Sequence, residues 1–391
     1  MKTRNTMKKI CALALAFVMG TSLLGCGGGT AVDENTLVIG GIGPITGPVA
    51  VYGTAVMNGA QLAVDEINAA GGINGMQLKL DYQDDEHDTE KAVNAYNTVK
   101  DHGAKLLLGT VTSNPCIAVK DYTYADNMFQ LTPAGSSVPC CQYDNAFRVC
   151  FSNPNQGVAS AQYLATLGMK TAAVIYDASD SYSSGIYEKF AQECANVGIE
   201  IVVDPSETSF TSASKTDFSA QLTKINSAKA DVVFLPIYYQ EAALILKQAD
   251  SAGYDFAFFG CDGLDGLIGQ LGDDAELAEG VMLLTPFVAD DPAEKVQTFV
   301  KAYKEKFNEI PNQFAADGYD GIYIIKAALE KAAVDDPSIS ISDLCDKMKA
   351  AMLEIEVAGV TGTMTWSADG ECEKTPNGMV IRNGSYSAIT K

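Results

Sequence analysis

The chain is 391 residues long, more than one ordinary hydrophobic core requires, and 47% of it is hydrophobic, which excludes a disordered tail. It carries 49 acidic against 27 basic side chains, a formal charge of −22. A surface of that sign repels nucleic-acid phosphates and anionic lipid headgroups, so nucleic-acid binding and membrane attachment by surface charge are excluded.

The first predicted element is a leader. Lys2, Arg4, Lys8 and Lys9 precede an apolar run over 10–24 that closes on Leu23-Leu24-Gly25-Cys26. The run is shorter than the ~20 residues that cross a bilayer. The pattern predicts a lipoprotein signal peptide over 1–25, an acylated Cys26 and a Gly-rich flexible tether over 26–35. Without the four leader cations the body has 49 acidic against 23 basic side chains, or −26. The expected location is extracytoplasmic, with a lipid anchor holding the body to the outer face of the cell membrane or in the periplasm.

From Thr36 one unit recurs: a short apolar run, a turn, then an amphipathic stretch of helical length. Strands are predicted over 37–41, 77–82, 105–109, 128–131, 171–176, 199–203, 231–235 and 256–260, each nearly continuous in apolar residues as strands covered on both faces are. Helices are predicted over 53–69, 89–101, 156–167, 184–196, 217–226, 240–252, 292–308, 314–333 and 341–353, with stop signals at Gly71-Gly72, Gly198 and Gly253. The alternation is that of parallel α/β sheets. It pauses around 149–156 and 284–292, where the chain is expected to cross between lobes, and a third crossing is placed near 359–363 ahead of short strands at 364–366, 379–382 and 386–389.

Eight cysteines remain after Cys11 leaves with the leader and Cys26 takes lipid. None forms a CxxC pair, and sequence does not choose among their pairings or decide whether they stay reduced. No metal and no cofactor is expected: there is no Walker GxxxxGK[ST], no GxSxG, no HExxH, and Gly41-Ile42-Gly43 followed by Pro44 fails the dinucleotide fingerprint. Only His87 and His102 are available for proton transfer, each in a polar stretch read as exposed. The acidic loop Asp84-Asp85-Glu86-His87-Asp88 lacks calcium-loop spacing and reads as a solvated turn. The chain is not expected to be an enzyme.

Thr46-Gly47-Pro48-Val49-Ala50-Val51-Tyr52-Gly53, Asn58-Gly59-Ala60, Ile67-Asn68-Ala69-Ala70-Gly71-Gly72-Ile73-Asn74-Gly75 and Asp84-Asp85 together resemble the opening of the leucine/isoleucine/valine-binding proteins. These are type I periplasmic solute-binding proteins of branched-chain amino-acid ABC transporters. Thr216-Asp217-Phe218-Ser219, Tyr238-Tyr239-Gln240-Glu241-Ala242 and Gly318-Tyr319-Asp320-Gly321 continue the resemblance in order and spacing. It implies two Rossmann-like lobes with parallel sheets joined by three hinge crossings, with ligand in the cleft between them. Lobe 1 is then expected over 36–152 and 286–360, and lobe 2 over 153–285 and 361–391. The implied function is capture of an amino acid, foremost Leu, Ile or Val, and delivery to ABC permease subunits by a monomer. Another amino acid, a short amide or urea, an aromatic acid, or a sensory role without import are the alternatives.

The resemblance also assigns site residues. Ser113, between a predicted strand and helix, would meet the ligand carboxylate, where free N–H groups and the helix dipole favour an anion. Gly135 and Ser136 would face the ammonium, opposite Asp262, which stands where the family commonly places a longer glutamate. Tyr52, Tyr182, Tyr238 and Phe314 would wall the side-chain pocket. His87 and Thr112 stand where well-known relatives carry a bridged cysteine pair, so that bridge is absent here.

Overall fold

The computed structural model describes residues 35–374 and 376–389. The signal segment, Cys26 and the tether up to residue 34 lie outside the described residues. Five parallel strands, β1 (Thr36–Gly43), β2 (Gln77–Asp84), β3 (Leu106–Gly109), β4 (Gln130–Thr132) and β5 (Ala146–Arg148), form one sheet in the order β2-β1-β3-β4-β5. A second sheet holds β6 (Thr171–Val174), β7 (Glu200–Ile201), β8 (Val232–Leu235), β9 (Phe258–Gly260) and β10 (Met282–Thr285), all parallel. The hairpin β11 (Val357–Gly359) and β12 (Gly362–Met364) stands apart. The antiparallel strands β13 (Asn377–Arg382) and β14 (Ser385–Ala388) complete the second sheet, in the order β14-β13-β10-β9-β8-β6-β7. The first eight predicted strands are all present; β5 and β10, only three and four residues long, escaped the periodicity.

The helices are α1 (Ala50–Ala69), α2 (Thr89–Asp101), α3 (Ser113–Ala125), α4 (Asn153–Thr166), α5 (Ser181–Val197), α6 (Pro205–Thr208), α7 (Ser219–Ala228), α8 (Tyr239–Ser251), α9 (Leu267–Leu271), α10 (Glu294–Phe307), α11 (Gln313–Lys331) and α12 (Ile341–Met352). Alternation along β1 explains its layering. Leu37 and Ile39 pack in the core shared with α1, α11 and α12, while Val38 and Ile42 face α2 and α3. The second sheet is covered in the same way, by α4 and α5 on one face and α7 and α8 on the other.

Helices α1 and α11 approach so closely that a Cβ on Gly59 would lie 1.9 Å from the Ala315 carbonyl oxygen, and one on Gly318 would lie 2.3 Å from that of Val56. Those two glycines of the family-like motifs are therefore packing requirements. Each helix presents its backbone to the other where a side chain would hold them apart.

After α12 the chain first packs on the five-stranded sheet. Val360 and Thr361 are held by the buried Asp320 carboxylate of α11, and Met364, Trp366 and Cys372 then join the core of the five-stranded sheet. The cause is the Trp366 indole, whose apolar body is buried and whose Nε1 donates to the Arg148 carbonyl at 2.8 Å. Only at Asn377 does the chain enter the seven-stranded sheet.

Candidate functional site

In both sheets strand order reverses once, between β1 and β3 and between β6 and β8. Crevices open beyond the carboxyl ends of strands at such points. A small cavity of about 10 Å³ lies there, lined by Tyr52, Thr112, Ser113, Tyr182, Tyr238, Asp262 and Phe314, with Val111, Ala134 and Gly263 completing it. A shared rule places these side chains. Tyr52, Ser113, Tyr182 and Phe314 each stand in the first turn of a helix, α1, α3, α5 and α11, and Tyr238 caps α8. Asp262 opens a 3₁₀ turn directly after β9.

At one end of the cavity Ser113 begins α3, where the first backbone N–H groups have no intrahelical acceptor. Its Oγ accepts from the Ser137 N–H at 3.2 Å. At the other end the Tyr182 hydroxyl donates to Asp262 Oδ1 at 2.6 Å and accepts from the Gly263 N–H at 2.9 Å. Burial raises the Asp262 carboxyl to about 6, although hydrogen bonds from Tyr182, Gln156 and Gly263 pull the other way. The rings form a continuous wall: Tyr182 stacks on Tyr238 at 4.9 Å and 9°, Tyr238 lies 5.8 Å from Tyr52, and Tyr52 lies 4.2 Å from Phe314.

Six of the eight ligand candidates named from the sequence therefore meet in one cavity. Gly135 and Ser136 are not among its lining residues; Ala134 takes that place. Their carbonyls accept from the guanidinium of the fully buried Arg148, at 3.2 and 2.6 Å, as the Ser137 carbonyl does at 3.1 Å. The Ser136 hydroxyl donates to Asn153. Arginine in an otherwise apolar strand was the signal, since a buried guanidinium must find acceptors. Val111, Thr112 and Gly263 were also missed as lining residues.

Hydrogen bonds cross the cleft from the loops of one sheet to those of the other. Tyr52 Oη donates to the Gly263 carbonyl at 2.6 Å, Tyr239 Oη to that of Pro48 at 3.0 Å, and Asn114 pairs with Asp180 and Ser181. The reading of His87 as exposed is corrected. Its ring lies against Tyr238, and burial lowers its pKa to about 4. His102 does lie open, beside Asp81. Among the described residues no group of three or more His, Cys, Asp or Glu side chains is arranged to hold a metal ion, and the eight cysteines are buried free thiols.

Residues 36–380 match the periplasmic binding protein family. Leu/Ile/Val-binding protein homolog 3 of Brucella melitensis is 32% identical over 344 residues, 86% of this chain and 88% of that protein. The leucine-, isoleucine-, valine-, threonine- and alanine-binding protein of Pseudomonas aeruginosa is 30% identical, over 78% of this chain and 81% of its own. The branched-chain amino-acid transporter substrate-binding protein LivJ of Streptococcus pneumoniae, solved in complex with isoleucine, superposes with a TM-score of 0.81 at 30% identity, covering 90% of this chain and 98% of that one.

Proposed function

This chain belongs to the periplasmic binding protein family, and on that premise we propose that it captures a free amino acid with a branched apolar side chain and delivers it unchanged to an ABC permease. The observation that carries this reading is the meeting, in one cavity, of a helix N-terminus with a hydroxyl and a buried carboxylate. An α-amino acid brings an anion and a cation at fixed separation, and the two ends of the cavity complement them. Ser113 takes the carboxylate and Asp262 the ammonium.

The tyrosines support an apolar side chain. The Tyr52 and Tyr182 hydroxyls are engaged by Gly263 and Asp262, so these residues offer ring faces to a ligand. Isoleucine in the S. pneumoniae relative agrees with this choice. The lobes we assign are 36–152 with 286–372, and 153–285 with 377–389. Export by the leader and acylation of Cys26 complete the reading, with the protein acting as a monomer outside the cytoplasm.

Thermal shift with the twenty amino acids, short amides, urea and aromatic acids tests the ligand class. A ligand at a thousand times its dissociation constant adds about 4 kcal/mol of stability. Leucine, isoleucine and valine are expected to give the largest shifts. A response confined to amides or aromatic acids would replace this reading.

A further inference from the structure

We propose that His87 is a positioning residue of this site, tying Thr112 on one side of the cavity to the Tyr238 ring on the other when the cleft is shut. The inference rests on the reading of the cavity as a ligand site, and it concerns a residue that lies outside the cavity lining.

The acidic loop between β2 and α2 is built to present this ring. Glu86 and His87 are successive non-glycine residues with φ of 48° and 60°, a conformation that side chains of L-residues rarely adopt. The loop's own carboxylates hold it there. Asp84 Oδ1 accepts from the Ile45 and Glu86 N–H groups and Asp85 Oδ1 from that of His87, each at 2.9 Å, while Asp88 caps α2 through Glu90 and Lys91.

Held in this way, His87 Nδ1 lies 2.9 Å from Thr112 Oγ1. Its ring meets Tyr238 edge to face, 5.4 Å between centroids at 86°. Tyr238 in turn stacks on Tyr182, whose hydroxyl holds Asp262. One line of contacts thus runs from a loop of the five-stranded sheet to the carboxylate of the seven-stranded sheet, with His87 as its link to Thr112.

The charges acting on the ring are Asp88 on its own loop and Lys215 and Asp177 from across the cleft, Asp85 meeting only the His87 backbone N–H and Ser113 beside Thr112 being uncharged; Lys215 also pairs with Glu241 at 3.2 Å. Burial and Lys215 outweigh the two aspartates that favour the cation, and lower the pKa to about 4. With the lobes apart, the ring leaves Tyr238 and Lys215 and returns toward about 6.5. The open arrangement then takes up the proton first, so closure weakens as pH falls from about 6.5 to about 4 and is unaffected by this group above that window.

The test uses leucine, isoleucine and valine with the wild-type protein, H87F and T112V. The chain has two histidines, so H87F assigns the imidazole NMR signals by difference. With ligand, His87 is expected to titrate well below 6.5, and without ligand near it. Each single variant should release ligand roughly tenfold faster with little change in association, and the double variant should release it no faster than the worse single, because one hydrogen bond is shared. H87F should also lose the part of the weakening between pH 6.5 and 4 that follows the His87 signal, leaving the part that follows protonation of Asp262. A His87 signal that ignores a ligand the protein binds, unchanged release, or effects that multiply in the double variant would overturn the proposal. A wild-type protein that responds to none of these amino acids would instead remove the ligand reading, and this inference with it.

Discussion

The Tyr182 hydroxyl and the Asp262 carboxylate, eighty residues apart in sequence, share a 2.6 Å hydrogen bond inside the cavity. The phenol thereby occupies one carboxylate oxygen and fixes which way the other points. Tyr182→Phe removes that donor and also strands the Gly263 N–H, so ligand-free stability should fall by about 1–3 kcal/mol in urea denaturation. Asp262→Ala should abolish binding of any zwitterionic ligand while the ligand-free protein still folds; titration calorimetry that finds unaltered affinity takes Asp262 out of the site.

Buried carboxyls give the protein a distinctive pH profile. Burial raises Asp180, Asp262 and Asp265 to about 6, and Asp85 and Asp317 to about 7. An unfolded aspartate titrates near 3.9, so between about 4 and 7 the folded state holds more protons and loses stability as pH rises. Asp262→Asn, which keeps an acceptor for Tyr182, should stabilise the ligand-free protein at pH 7.5 by on the order of 2 kcal/mol and do little at pH 4. Melting curves at both values decide the matter, and a variant equally affected at each would contradict it.

Arg148 organises the loop that runs past Ser113. Its guanidinium serves the carbonyls of Gly135, Ser136 and Ser137 and pairs with Glu371 at 3.1 Å. Arg148→Met leaves those acceptors buried without a donor and should cost about 3–5 kcal/mol in chemical denaturation. Arg148→Lys should recover only part of this, because an ammonium cannot span the same fork of acceptors.

The α1–α11 contact is tested by glycine substitutions. Gly59→Ala and Gly318→Ala drive a methyl group into backbone and should each destabilise by about 1–3 kcal/mol or more. Gly269→Ala, in the short helix α9 with open space around it, is the control, expected to be neutral or stabilising by about 0.4–1 kcal/mol. Equal melting temperatures for all three would mean that the helices have room to separate.

Much of this was legible from residue order. Nearly continuous apolar runs over 105–109 and 231–235 mark strands buried on both faces, and Gly198, with φ of 77°, ends α5 as its position after an amphipathic run requires. The resemblance also assigned six of the cavity residues, and five of them, Tyr52, Ser113, Tyr182, Tyr238 and Asp262, stand on the segment that follows a strand, at that edge of the sheet. Strand order is another matter. It sets β1 beside β3 and β6 beside β8, and so brings Tyr52 to Gly263 across 211 positions of sequence and His87 to Tyr238. Hydrophobic period and turn residues report only on neighbours a few positions away, whereas burial depends on which distant loops share an edge. For that reason tertiary packing alone decided that Arg148 claims the Gly135 and Ser136 carbonyls, and that a polar histidine lies against the aromatic wall.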